Sequence, residues 1–291
     1  MTAELIKPRP NPLDIRQIVK IVVYSLLLVN FMLYIRDDWV IAGHILRSES
    51  SLLELTRAFA TTIDESAWMF LLILFELETY ILSDDALSRT KTLLMQGVRV
   101  ICYVSLSHTI YAYVINLVEI YGAVPLEGVT SLCQIIDRDV SYASNLVYTK
   151  VSEINCAALS GATQFFYVDP PTHFIVEDYV GLVIEKQLGW VDLIEGTTWL
   201  LILFTIEVTV WLQDRNISQG MVFKLLTGIK IFLYTLLWGA IGYWIYRAHY
   251  MFAWDEFVWI AGFMAIEMNV VDWRNEIRVS EKESKQGFTS S

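Results

Sequence analysis

Three phrases place a cation and a tyrosine four residues apart inside apolar runs. They are Lys20 and Tyr24 in "IVKIVVYSLL", Arg99 and Tyr103 in "GVRVICYVSL", and Lys230 and Tyr234 in "GIKIFLYTLL". Three other apolar runs each carry a glutamate: Glu78 in "LFELETYIL", Glu207 in "LFTIEVTVWL" and Glu267 in "FMAIEMNVVDW". Inside a membrane a lone charge costs about 3 kcal/mol on insertion scales. That cost falls where cation and carboxylate pair within the bundle. A tyrosine one turn after the cation shares its helix face and can donate to the same carboxylate. Lys20, Arg99, Lys230, Glu78, Glu207 and Glu267 are therefore read as a ring of interhelical ion pairs, which either staples helices or lines a transport pathway.

Departures from this pattern supply two more candidates. Aligning "LLILFELE" at 71–78 with "LLILFTIE" at 200–207 sets Glu76 opposite Thr205 and Ala265, so Glu76 reads as an extra carboxylate. His108 lies in "SLSHTI", where the matching stretch "LLWGAI" has no polar side chain. Both suit a proton or ion path, because His and Glu exchange protons when burial moves their pKa values toward neutrality. The alternative is that hydroxyls such as Ser107 and Thr109 bond their own helix and that His108 bonds a neighbour.

The elements that must hold these residues are membrane helices. The 291-residue chain is 55% hydrophobic and only 18% charged, and its mean hydropathy is +0.47. Soluble domains carry about 25% charged residues. Spans are expected near 17–35, 66–83, 93–118, 190–212, 222–246 and 256–272, each close to the ~20 residues that cross hydrocarbon. Odd spans carry the cation–tyrosine phrase and even spans the glutamate. Acidic residues precede each even span: Asp64 and Glu65, Asp192 and Glu195, Asp255 and Glu256. Trp199 to Glu207 and Trp259 to Glu267 share one spacing. The expected fold is an all-α polytopic membrane protein of six transmembrane helices, arranged as three pseudo-repeated hairpins.

The regions between and around the spans complete the organisation. Residues 1–16 and 273–291 are expected on the cytoplasmic side, because the short basic connections fall there. Helices 1–3 occupy 17–118 and helices 4–6 occupy 190–272. An interfacial helix is expected near 51–63, starting at the capping-box spacing Ser51-x-x-Glu54. Residues 119–189 form an extracytoplasmic subdomain, read as one or two short helices. There Cys133 and Cys156 are expected to form a disulfide. Paired acids such as Asp37 and Asp38 read as solvated span ends.

Function follows only by class. A net charge of −11 without a basic stripe excludes nucleic-acid binding. The four histidines have no metal-binding spacing, and no phosphate loop or nucleophile elbow occurs. No enzyme activity, metal or cofactor is expected. The first reading is a channel or transporter for a small ion or solute, with proton coupling a candidate. The second is a non-transporting subunit or scaffold whose outer loop binds a partner protein, either a second copy or another membrane protein. On either reading the lipid bilayer, of a bacterial inner membrane, is the immediate partner.

Overall fold

A computed structural model describes residues 15–77, 89–170, 172–214 and 220–264. Four helices in it are long and apolar enough to cross a membrane: α1 (Ile15–Ile45), α4 (Arg89–Tyr121), α6 (Tyr179–Asp214) and α7 (Met221–Tyr246). Between α1 and α4 stand α2 (Leu52–Ala58) and α3 (Ala60–Glu76), which meet at 68° and together pass the same test of length and apolarity. An eighth helix in chain order, α8, covers 250–264; the short α5 is described below.

The starts of α2 and α3 have identifiable caps. Ser51 accepts from the Glu54 amide at 3.2 Å, and the Glu54 carboxylate accepts from the Ser51 amide at 2.6 Å. This reciprocal box starts α2. The bend follows at Phe59, whose φ of −109° and ψ of 26° are not helical. The interfacial helix expected at 51–63 is thus a single short helix that stops at Ala58, with the next helix already beginning at Ala60. No side chain of its own caps α3. Asp38 does so from α1, accepting from the Thr62 amide at 2.8 Å and its hydroxyl at 2.7 Å. Asp38 is buried, not a solvated span end, and α1 runs on past it to Ile45.

Apolar side chains fill the bundle centre and coat its outside. Leu27, Leu71, Leu106, Ile202, Leu237 and Ile260 are almost wholly enclosed. Ile21, Leu93, Ile101, Phe204, Ile231 and Phe232 are exposed. Apolar faces of that kind belong against lipid. Helix α1 packs on α8, where Gly262 faces Leu27 and Val23.

The segment between α4 and α6 departs from the all-α expectation. It forms a five-stranded sheet in the order β1-β4-β5-β2-β3. The strands are β1 (Val124–Pro125), β2 (Ser141–Ser144), β3 (Val147–Lys150), β4 (Phe165–Tyr167) and β5 (Ile175–Asp178). Helical structure there is limited to a 3-10 turn at Leu132–Arg138 and the single turn α5 (Cys156–Leu159). Cys133 and Cys156 form a disulfide joining these two turns, with Cα atoms 5.0 Å apart. The subdomain has its own core of Leu132, Ile135, Val140, Phe165 and Val176. It ends earlier than residue 189, because β5 leads directly into α6 at Tyr179.

Candidate functional site

The sheet end of the bundle encloses a cavity of about 820 Å³. Its walls come from α1, α3, α4, α6, α7 and α8, and from the β2–β3 hairpin. Eight acidic side chains line it: Asp37 and Asp38, Asp64 and Glu65, Asp192 and Glu195, Asp255 and Glu256. Between them stand Trp68, Trp199, Trp244 and Trp259, with Tyr148, Phe252 and Phe263. Arg36, exposed at α1, and His249 are the basic members of the lining.

These acids are held by neutral donors. Trp259 Nε1 donates to both oxygens of Glu65 at 3.2 Å. Trp199 Nε1 donates to Glu256 at 2.9 and 3.1 Å. Trp244 Nε1 donates to Glu195 at 2.8 Å, Trp68 Nε1 to Asp64 at 3.1 Å, and Asn30 Nδ2 to Asp255 at 2.8 Å. Among the described residues no lysine or arginine pairs with any of these five acids, and Asp192 accepts no hydrogen bond. A buried carboxylate is normally paired with a cation; here carboxyl groups gather without one.

The tryptophans also close the cavity's deep end. Trp68 lies 6.0 Å from Trp199, 6.2 Å from Trp259 and 5.5 Å from Phe263, ring centre to ring centre. Their hydrogen bonds run in one sense around the bundle, from α6 to α8 and from α8 to α3. The third link would run from Trp68 to position 196. That residue is Gly196, and a Cβ there would stand 3.0 Å from Ile110 and 3.1 Å from Tyr113. Trp68 turns to Asp64 on its own helix instead.

At the mouth, the β2–β3 turn enters the bundle. Asn145 and Leu146 have φ of 50° and 62°, the left-handed pair of a two-residue hairpin. Leucine is strained in that region. The Leu146 amide donates to Glu185 at 3.0 Å, Asn145 Nδ2 donates to the Arg247 carbonyl at 3.2 Å, and the Leu146 side chain packs on the bundle core. Below the sheet, Glu177 is buried with one carboxylate oxygen unpartnered among the described residues. Burial, then the nearby charges of Glu185 and Asp178, push its carboxyl up to about 9.

The charged residues singled out by the cation–tyrosine phrase lie beyond the tryptophan floor. Lys20 Nζ is 3.0 Å from a Glu76 oxygen, and the Tyr24 hydroxyl donates to Glu76 at 2.6 Å. Arg99 Nε is 3.7 Å from Glu207, and the Tyr103 hydroxyl donates to Glu207 at 2.5 Å. The guanidinium of Arg99 also sits 5.6 Å from the Phe75 ring centre. Glu76, read from the alignment as an extra carboxylate, is thus a partner of Lys20, and Arg99 meets Glu207 on α6. Glu78 and Glu267 lie outside the described residues. Lys230 and Tyr234 both have interaction partners.

Within the His108 patch, Thr109 reaches the cavity acid Asp64. Ser107 donates to the Tyr103 carbonyl at 2.8 Å and Thr109 to the Ser105 carbonyl at 3.3 Å, both within α4. His108 contacts Tyr111 at 6.0 Å between ring centres and is not part of the lining. The cavity acids had been visible as a recurrent prelude to the even spans, but their meeting in one chamber had not. A usable signal was present: Trp68 precedes Glu76 by the same eight residues that separate Trp199 from Glu207 and Trp259 from Glu267.

No protein-family model, curated protein or solved structure matches the chain.

Proposed function

We propose that the chain is a membrane transporter that admits a small cationic solute to the acidic cavity from the sheet side. In this reading six helices cross the bilayer as three hairpins, α1 with α3, α4 with α6, and α7 with α8. The shared tryptophan-to-glutamate spacing and the circulating indole–carboxylate bonds support the repeat. The short basic connections and the disulfide support a cytoplasmic N-terminus and an extracytoplasmic sheet.

The observation that carries the function is the gathering of eight acids around one cavity, opposed by Arg36 and His249. Such a field attracts and concentrates cations. A transporter fits better than a channel because the cavity stops at packed indoles. About 12 Å further along, eight residues on each helix at 1.5 Å per residue, come the Lys20–Glu76 and Arg99–Glu207 pairs. A site reached from one side and sealed on the other is what alternating access requires. The ion pairs then serve as the cytoplasmic closure, and their exchange of partners would open it.

The test is uptake into proteoliposomes of the purified full chain, over a panel of inorganic cations, organic cations and anions. Saturable uptake restricted to cations supports the reading. Uptake of none of them, by protein that retains its thermal transition, would leave the scaffold reading in its place.

A further inference from the structure

We propose that the cavity's ligand is a linear aliphatic di- or polyamine, carried as its multiply protonated cation. This rests on the transport reading for its direction of entry but not for its chemistry.

The size of the cavity fits a small molecule better than a bare ion. A cavity of about 820 Å³ is in the range of small-molecule sites, roughly 300–1,000 Å³. Ligand geometry points the same way. A dehydrated divalent ion needs several oxygens converging at 2.0–2.6 Å or so. Among the described residues no three acidic, histidine or cysteine side chains are grouped to hold a metal. The acids are instead spread over α1, α3, α6 and α8 with aromatic rings among them, Glu195 and Glu256 alone being in mutual hydrogen-bond contact among the lining acids described.

That separation specifies the ligand. One compact charge would satisfy one wall and leave the carboxylates of the others unopposed. A chain with an ammonium at each end reaches more than one wall. Its N–H groups supply the charged donors that Glu65 and Glu256 lack, since Glu65 takes an indole N–H, and Glu256 an indole N–H and a hydrogen bond shared with Glu195. Asp192, which accepts no hydrogen bond among the described residues, is the first open acceptor. The methylene segments between ammoniums need apolar contact, which Trp68, Trp199 and Tyr148 provide. The same ring faces attract an ammonium through their quadrupoles. Alternating carboxylates and rings thus match alternating ammoniums and methylenes.

The experiment is isothermal titration of the purified full chain in nanodiscs with spermidine, putrescine, tetramethylammonium, potassium and magnesium. Spermidine and putrescine are expected to bind saturably, with spermidine tighter. Asp192→Asn should weaken spermidine at least tenfold or so, the loss of one charged hydrogen bond. Asp192 is chosen because it holds no internal partner, so its neutral variant keeps the fold. Glu256→Gln, which retains the acceptor for Trp199, should weaken it as well. Binding of tetramethylammonium or magnesium as tight as spermidine overturns the proposal, as does spermidine binding unaltered in both variants. The transport reading is separated by labelled uptake. Spermidine bound but never accumulated in proteoliposomes upholds this site and removes transport. Potassium or magnesium accumulated without spermidine binding removes this site and leaves transport.

Discussion

Trp259 on α8 donates its indole N–H to both carboxylate oxygens of Glu65 on α3, at 3.2 Å, across 194 residues of sequence. Trp199 repeats the bond toward Glu256. These links tie the helices together while leaving the acids without a cation. Replacing Trp259 with Phe keeps most of the ring volume but deletes the donor. A buried acceptor left unsatisfied costs about 1–3 kcal/mol, so Trp259→Phe should lower the thermal midpoint in detergent. Glu65→Gln combined with it should recover part of the loss. Additive effects in that cycle would show that the two residues are not coupled.

The pair of Lys20 and Glu76 gives a second prediction. Both side chains are mostly buried, at 15% and 16% exposure. Removing one partner strands the other, at about 3–5 kcal/mol. Lys20→Met should therefore be strongly destabilising, and Lys20→Met with Glu76→Gln less so. Arg99→Leu should couple with Glu207→Gln. Coupling of Arg99 to Glu78 alone, measured by the same cycle, would overturn the Arg99–Glu207 pair.

Four of the expected spans were legible as long apolar helices because membrane helices announce themselves by composition and length. The partner of Lys20 was not. The identical "LLILF" in 71–75 and 200–204 set the register two residues off from the one that stacks Trp68 on Trp199. Apolar letters on a lipid-facing or core-facing helix are interchangeable, whereas an indole that must reach a carboxylate is not. The sheet was missed because its strands have only two to four residues, too short for a period-two pattern to stand out. Asp38 was misread because its role as a cap for α3 depends on a helix 24 residues away in sequence.

Glu177 makes the sheet's stability depend on pH. Its carboxyl rises from 4.5 in the ordinary state to about 9 in the fold. The unfolded chain therefore loses this proton first as pH rises. The contribution of Glu177 is fully present below about 4.5 and is lost progressively toward about 9. Hydrogen exchange in β5 should speed up from pH 5 to pH 9 beyond its intrinsic chemical increase. Glu177→Gln should remove that excess. An excess that persists in the variant would assign it to another group.

The disulfide closes a loop with a separation of 23 residues. Its loss should cost about 3 kcal/mol on the chain-entropy account. Cys133→Ser with Cys156→Ser should make the sheet more sensitive to protease while α4, α6 and α7 stay protected. Equal loss in sheet and helices would show that the subdomain and the bundle unfold as one unit.

The central claim is that a cation occupies the acidic cavity and enters from the sheet side. Thr61 lines that cavity, so a cysteine there reports on it directly. The measurement is the labelling rate of Thr61→Cys, with Cys102→Ser, by a membrane-impermeant thiol reagent applied to oriented vesicles. The account predicts labelling from the sheet side, slowed severalfold by a transported cation and restored to its full rate by Asp192→Asn at the same cation concentration. Labelling only from the opposite side, or a rate that no transported cation alters, would contradict it.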